Sequence, residues 1–151
     1  MPAAERLREP AEPKVRRLFP YSWVPDETHF AGPGAEASDG SLVHAGTVYN
    51  GHGLQPGGSF VVRREVSAGQ PRWVFTTDRP ATDLDCDAET VYVTYDDGEI
   101  VALDLHDGTV RWRRHLTVAG VLVVPTALTI AGPKRLLIGT DDGRLLDCSA
   151  G

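Results

Sequence analysis

From Ser41 onward, short apolar runs alternate with polar residues at a period of two and are broken every 8–12 residues by Gly, Asp or Pro, a pattern that predicts strands and turns. It is clearest between Val91 and Trp112. Val91, Val93 and Tyr95 alternate with Tyr92 and Thr94, predicting a half-buried strand. Asp96-Asp97-Gly98 supplies the positive φ of a tight hairpin. A second run, Ile100 to Asp104, meets another turn at His106-Asp107-Gly108, and Val110-Arg111-Trp112 opens a third strand. The prediction is an antiparallel meander in an all-β chain.

The meander repeats. Thr90-Val91-Tyr92-Val93 answers to Thr47-Val48-Tyr49-Asn50 before it and to Arg135-Leu136-Leu137-Ile138 after it. Asp96-Asp97-Gly98 returns as Asp141-Asp142-Gly143, and Trp73 and Trp112 stand at the same place in successive units. A period of about 40–45 residues with four short strands per unit is that of propeller blades. The expected blades are about 41–77, 81–116 and an incomplete 120–151. Their strands are Leu42–Ala45, Val48–Gly51, Phe60–Val66 and Arg72–Thr76; then Thr82–Cys86, Val91–Tyr95, Glu99–Asp104 and Val110–His115; then Thr126–Ile130, Arg135–Thr140 and Arg144–Cys148. Gly51-His52-Gly53-Leu54 to Gly58 replaces the short hairpin in the first unit and is expected to be a long, mobile loop suited to partner binding, with His52 and Leu54 as candidate contacts.

The segment Ala102-Leu103-Asp104-Leu105-His106-Asp107-Gly108-Thr109-Val110-Arg111-Trp112 resembles the tryptophan-docking motif of the PQQ-like, or quinoprotein-type, β-propeller repeats, roughly Ala-x-Asp-x-x-Thr-Gly-Lys-x-x-Trp. Ala102, Asp104, Gly108 and Trp112 match; Asp107 and Thr109 depart from it. The first unit places Arg63, Glu65, Ala68, Gly69 and Trp73 at the corresponding positions. The third keeps Asp147 and Gly151, with Leu145 in the Ala position and two residues missing after Gly143. The resemblance implies a partial β-propeller of four-stranded antiparallel blades over residues 41–151. It also implies a tryptophan on each outer strand laid flat against the next blade, with Ala102 small because the ring passes over it. Asp104 is expected to accept hydrogen bonds from the turn and Gly108 to supply positive φ.

Residues 1–40 hold six of the eleven prolines, so an irregular Pro-rich arm is expected there. Its aromatic patch carries Phe19, Tyr21 and Trp23, which dock on this protein's own sheet, on a partner, or on nothing. The net charge is −6, with no basic stripe, which argues against nucleic acid and anionic membrane as partners. Cys86 and Cys148 have no C-x-x-C spacing. They are read as ordinary thiols, with a disulfide left as the alternative. The Asp83, Asp85, Asp87, Glu89 series is read as a solvated edge before a divalent-ion site, and the Asp-Asp-Gly triplets as turns. Histidines 29, 44, 52, 106 and 115 fall on no ligand spacing, with His106 and His115 expected at the surface. No leader or membrane-spanning run is visible, so a soluble, cytoplasmic protein is expected unless a leader or partner domain lies outside this sequence.

No catalytic constellation emerges, and no cofactor or metal is expected. The family's dehydrogenases hold a quinone with a calcium site, an adjacent-cysteine disulfide and an aspartate, and no Cys-Cys pair occurs here. The preferred expectation is a non-catalytic module that binds or scaffolds a protein, as the family's outer-membrane assembly lipoproteins do. The alternatives are a fragment of a quinone-dependent dehydrogenase and a sensor propeller of bacterial kinase signalling. Fewer than three full blades would leave an open face. That face calls for a longer protein, for copies assembled into a ring through open blade edges, or for the N-terminal arm as a cap.

Overall fold

The computed structural model describes residues 28–50 and 53–150; the other positions, among them Phe19, Tyr21, Trp23 and His52, lie outside the described residues. The chain is all-β. A first antiparallel sheet runs β1 (Thr28–Glu36), β2 (Leu42–Asn50), β3 (Gly53–Arg64) and β4 (Pro71–Thr77), neighbours in that order. A second runs β5 (Ala81–Cys86), β6 (Thr90–Tyr95), β7 (Glu99–Asp104) and β8 (Val110–His115). A two-stranded hairpin, β9 (Thr117–Val118) and β10 (Val121–Leu122), leads to a third sheet of β11 (Pro125–Gly132), β12 (Arg135–Thr140) and β13 (Leu145–Ser149). The three sheets are blades of a partial β-propeller, and their first strands β1, β5 and β11 lie side by side along the inner edge.

The second and third sheets have the strands expected of them, within one or two residues. The first differs. The expected strands Leu42–Ala45 and Val48–Gly51 run together as one strand, β2, as far as Asn50, with Gly51 outside the described residues, and the sheet's innermost strand is Thr28–Glu36, inside the stretch expected to be an irregular arm. Its Ala-Gly-Pro-Gly-Ala run is a bulge rather than a loop, with the β1–β2 register shifting between Ala31 and Gly34. A Cβ on Gly32 would sit 2.9 Å from the Ala45 carbonyl oxygen, so only glycine permits the two backbones to come this close. The expected loop 53–58 is likewise strand, the start of β3, pairing Leu54 with Tyr49 and Gly53 with Asn50.

Two cores separate three layers. Val43, Ala45, Val61 and Trp73 of the first sheet meet Leu84, Val91, Val93, Tyr95, Val101 and Leu103 of the second. On the other face, Tyr92, Ile100 and Ala102 meet Leu128, Leu136 and Ile138 of the third. Strand β6 is therefore buried along its whole length, not on one side as its alternation predicts. The polar-looking positions are satisfied in place: Thr94, fully buried, shares a 2.8 Å hydroxyl hydrogen bond with Thr82.

Candidate functional site

Two joins between sheets are tied by specific polar contacts. At the first join, the β7–β8 turn is built on Asp104, whose Oδ1 accepts from the backbone N–H of His106 (2.8 Å) and Asp107 (3.2 Å) and whose Oδ2 accepts from Arg111 Nη2 (2.8 Å). Arg111 above all, then the His106 N–H, holds the Asp104 carboxyl down to about 2. The turn ends on Gly108 with φ of 74°. A Cβ there would lie 2.6 Å from the Trp73 ring, so glycine is required for space as well as for φ.

Trp73 comes from the outer strand β4 of the preceding sheet and donates from Nε1 to the Leu105 carbonyl oxygen at 2.8 Å. Arg63, 2% exposed, donates from Nη1 to the same oxygen at 2.9 Å. Its other nitrogens reach Ser41 Oγ (2.9 Å) and Asp39 Oδ2 (2.6 Å), so the buried guanidinium is paired and hydrogen-bonded. The Ser41 hydroxyl and backbone N–H, then Arg63 and Arg72, hold the Asp39 carboxyl far below the usual range. The first unit's own turn repeats the second's. Gly69 N–H donates to the Glu65 carbonyl at 2.8 Å as Gly108 N–H does to Asp104 at 2.9 Å, and Arg72 pairs with Glu65 as Arg111 does with Asp104.

The second join is tied at the opposite edge. Asp83 Oδ2 accepts the backbone N–H of Leu128 at 2.6 Å, Asp85 Oδ2 that of Ile130 at 2.9 Å, and Thr82 Oγ1 donates to the Pro125 carbonyl at 2.7 Å. These N–H groups belong to β11, the inner edge strand of its sheet. Of the expected solvated edge, Asp87 and Glu89 are exposed, whereas Asp83 and Asp85 are acceptors for an edge that would otherwise lack partners. At the outer side Trp112 lies opposite Ala102 and is only half-buried, 6.1 Å from the Tyr92 ring with Arg114 5.7 Å over its face. Its Nε1 has no partner among the described residues. Cavities of about 440 and 300 Å³ flank it, one bordered by Glu89, Arg111 and Lys134, the other by Leu116, Leu136 and Cys148.

The third unit needs a correction. Ala150 N–H donates to the Lys134 carbonyl as Leu105 N–H does to Glu89, and Leu137 pairs with Asp147 as Tyr92 does with Ala102. The constant offset of 45 leaves no residues missing after Gly143. Asp147 therefore holds the Ala position, Ser149 the Asp position, and Leu145 the place of Ile100.

A quinone and calcium site of the dehydrogenase kind does not fit these residues. Both cysteines are free. Cys86 borders the first core and Cys148 the second. Burial first, then Asp85, pushes the Cys86 thiol up to about 11, which makes it a packing group rather than a nucleophile. Asp83 and Asp85 are each committed to a backbone N–H, and no cluster of three or more metal-ligating side chains occurs among the described residues.

The remaining feature is the end of the blades where β2 turns into β3. These strands have nine and twelve residues against six and six for β6 and β7, so their hairpin extends past its neighbour. Leu54, half-buried, lies on that extension; His52 beside it lies outside the described residues. The β9–β10 hairpin reaches the same end, with Leu116 N–H on the Gly98 carbonyl, and displays Val121 and Leu122 at 65% and 51% exposure.

Residues 23–150 match the family model described as outer membrane protein assembly factor BamB. The chain belongs to that PQQ-repeat family. BamB from Moraxella catarrhalis is similar at 21% identity and a TM-score of 0.49 over 80% of this chain and 32% of that one, so the chain spans about a third of that BamB. The computationally designed Ika4 protein is similar at 15% identity and a TM-score of 0.51, over 91% of this chain and 100% of that one. Hsv2 from Kluyvelomyces marxianus gives 14% and 0.37 over 82% and 52%. These likenesses concern fold alone. No curated protein matches.

Sequence reasoning named Gly69, Trp73, Ala102, Asp104, Gly108 and Trp112, and the structure puts Trp73 and Gly108 in contact across the first join. It placed Arg63 in the motif without its contacts to Asp39 and to the backbone oxygen of Leu105, and it missed Asp39. A charged residue at an inward-facing position of β3 was the available signal for Arg63. The spacing Asp83-x-Asp85 on an inner strand was the signal for the second join.

Proposed function

We propose that this chain is a non-catalytic, protein-binding or scaffolding module of the BamB-like propeller class. The observation that supports it is the blade end that carries both the extended β2–β3 hairpin, with half-buried Leu54, and the β9–β10 hairpin, with Val121 and Leu122 exposed. Exposed apolar side chains on loops held by a rigid sheet are the usual composition of a protein contact. The charged groups of the joins, by contrast, are consumed in holding sheets together.

A photoreactive residue at position 54, in cells, tests this. A discrete protein adduct is expected at 54, lost on Val121→Asp with Leu122→Asp and not formed from position 110, exposed on β8. Adducts of equal yield from 54 and 110, or dye-linked alcohol or sugar oxidation by the purified protein with quinone and calcium, would overturn the reading.

A further inference from the structure

The first sheet carries a polar link that neither join uses, on the face turned away from the second sheet. His44 of β2 is half-buried there, opposite Gly34 of β1 and Val62 of β3, with the Phe60 ring 5.9 Å away and nearly perpendicular. A Cβ on Gly34 would stand 3.4 Å from the His44 Cβ, so the β1 backbone hems the histidine in on one side. On the other, Arg64 at the end of β3 donates from Nε to His44 Nε2 at 3.0 Å and from Nη1 to the Gly69 carbonyl oxygen at 2.9 Å. One guanidinium thus ties β2 to the β3–β4 turn. That turn's own bonds run from the Gly69 N–H to the Glu65 carbonyl and from the Glu65 N–H to the Gln70 carbonyl.

The chemistry of the pair fixes a protonation state. A guanidinium only donates and does not lose its charge, so the nitrogen it points at must hold a lone pair. His44 therefore accepts as the neutral ring, with its proton on Nδ1. An imidazolium has no acceptor, and its charge would face that of Arg64 across the same short contact. Burial first, then the Arg64 charge, lower the His44 pKa from the ordinary 6.5, and the Ala45 backbone opposes them less strongly.

Among the described residues, the other charged groups around the pair do not relieve that repulsion. Glu36 lies on the same face two residues beyond Gly34 and is exposed. Glu65, Arg72 and Asp39 are engaged with one another beside the turn. On the opposite face of β2 the second sheet packs, and its Asp83 and Asp85 are committed to the β11 backbone.

We propose that His44 and Arg64 form a proton-operated latch on the β3–β4 turn. The neutral imidazole holds the guanidinium in place beside the Gly69 carbonyl, and a proton taken from solvent at Nε2 releases it and loosens the turn that leads into Trp73. The folded state requires the neutral ring, so this stabilisation is whole above about pH 6.5 and is lost as pH falls below it. Mild acid thus slackens the strand that fastens the first join before the carboxylates of the joins are reached. The β3–β4 turn lies at the end of the sheet opposite to the β2–β3 hairpin, so the latch is independent of any partner there.

Two measurements on the full-length, unmodified protein test this. In ¹⁵N spectra of the imidazoles, His44 should carry its proton on Nδ1 at about pH 7.5 and should titrate below about 6.5. Hydrogen exchange, corrected for its intrinsic dependence on pH, should show the Glu65 and Gly69 amides losing about tenfold in protection as that titration proceeds. His44→Gln keeps an acceptor for Arg64 Nε and cannot take the proton, so its turn amides should hold their protection over the same range. The first two readings need no variant and stand even if His44→Gln does not fold. A proton on Nε2 at neutral pH, or a ring that titrates at about 6.5 or above, or is still neutral at about pH 4.5, would overturn the proposal. So would turn protection that ignores the titration, or that falls equally in His44→Gln.

Discussion

The two joins solve one problem, holding a sheet against its neighbour, at opposite edges. The first is fastened outside, where Trp73 and Arg63 share the Leu105 carbonyl oxygen and Gly108 makes room for the indole. The second is fastened inside, where Asp83, Asp85 and Thr82 engage the backbone of β11. At each, the other fastening is weak or missing. Trp112 is half-exposed with no partner for its Nε1 among the described residues, and the β1 positions that answer to Asp83 and Asp85 fall in the bulge and at Ala35. A join therefore needs one set of directional contacts to fix its register, while the apolar core between the sheets supplies the non-directional share of the stability.

The largest effect should come from the outer fastening of the first join. Trp73→Ala removes a buried indole and leaves the Leu105 oxygen to Arg63 alone. A loss of about 3–5 kcal/mol is expected, or about 10 °C in melting temperature. Trp112→Ala should cost clearly less, about half as much in melting temperature. Equal shifts would mean that the joins are not different.

Next in size is the inner fastening. Asp83→Ala with Asp85→Ala leaves two β11 N–H groups without their acceptors, at about 2–4 kcal/mol for the pair. Gly108→Ala, which forces a Cβ into the Trp73 ring, is expected to cost about 2–3 kcal/mol. Gly143→Ala is its control, with φ of 83° but open space around it, and should cost only the backbone strain, about 1 kcal/mol. Denaturant melts of these two variants separate the packing role of Gly108 from its turn role.

The smallest effect is one of acidity. Asp104 and Asp39 have folded pKa values below their unfolded ones, so their contribution is complete above about pH 4 and falls away on acidification, that of Asp104 as pH falls through about 2 and that of Asp39 lower still. Both serve the first join. Asp104→Asn should flatten the fall in stability between pH 4 and 2, followed by circular dichroism melts, and leave the pH 7 to 5 range unchanged. Arg72 and Arg111 are shifted upward by the same carboxylates and stay charged throughout this range, so a gain in stability on acidification from pH 4 to 2 would contradict the assignment.

The second blade was legible because each device in it is local: Asp-Gly turns, alternation, and a docking motif with both ends in one unit. What stayed hidden depends on a neighbouring sheet. The Gly-Pro-Gly of β1 reads as a loop until Ala45 is seen crowding Gly32, and the half-buried alternation of β6 becomes full burial once a third sheet lies on its other face. Arg63 reads as a lost alanine, although it reaches a carbonyl 42 residues away. The third unit's motif was set out of register because Asp147 and Gly151 have the motif's spacing. The hydrogen bond from Ala150 to Lys134 fixes the true offset.

Hydrogen exchange of individual amides tests the division of labour between the joins most directly. In the Asp83→Ala, Asp85→Ala protein, the Leu128 and Ile130 amides should exchange at least about tenfold faster, a loss of about 1.4 kcal/mol of local protection, while the Gly108 and Leu105 amides keep their rates. Unchanged protection at Leu128 and Ile130, or an equal loss at the outer turn, would contradict it.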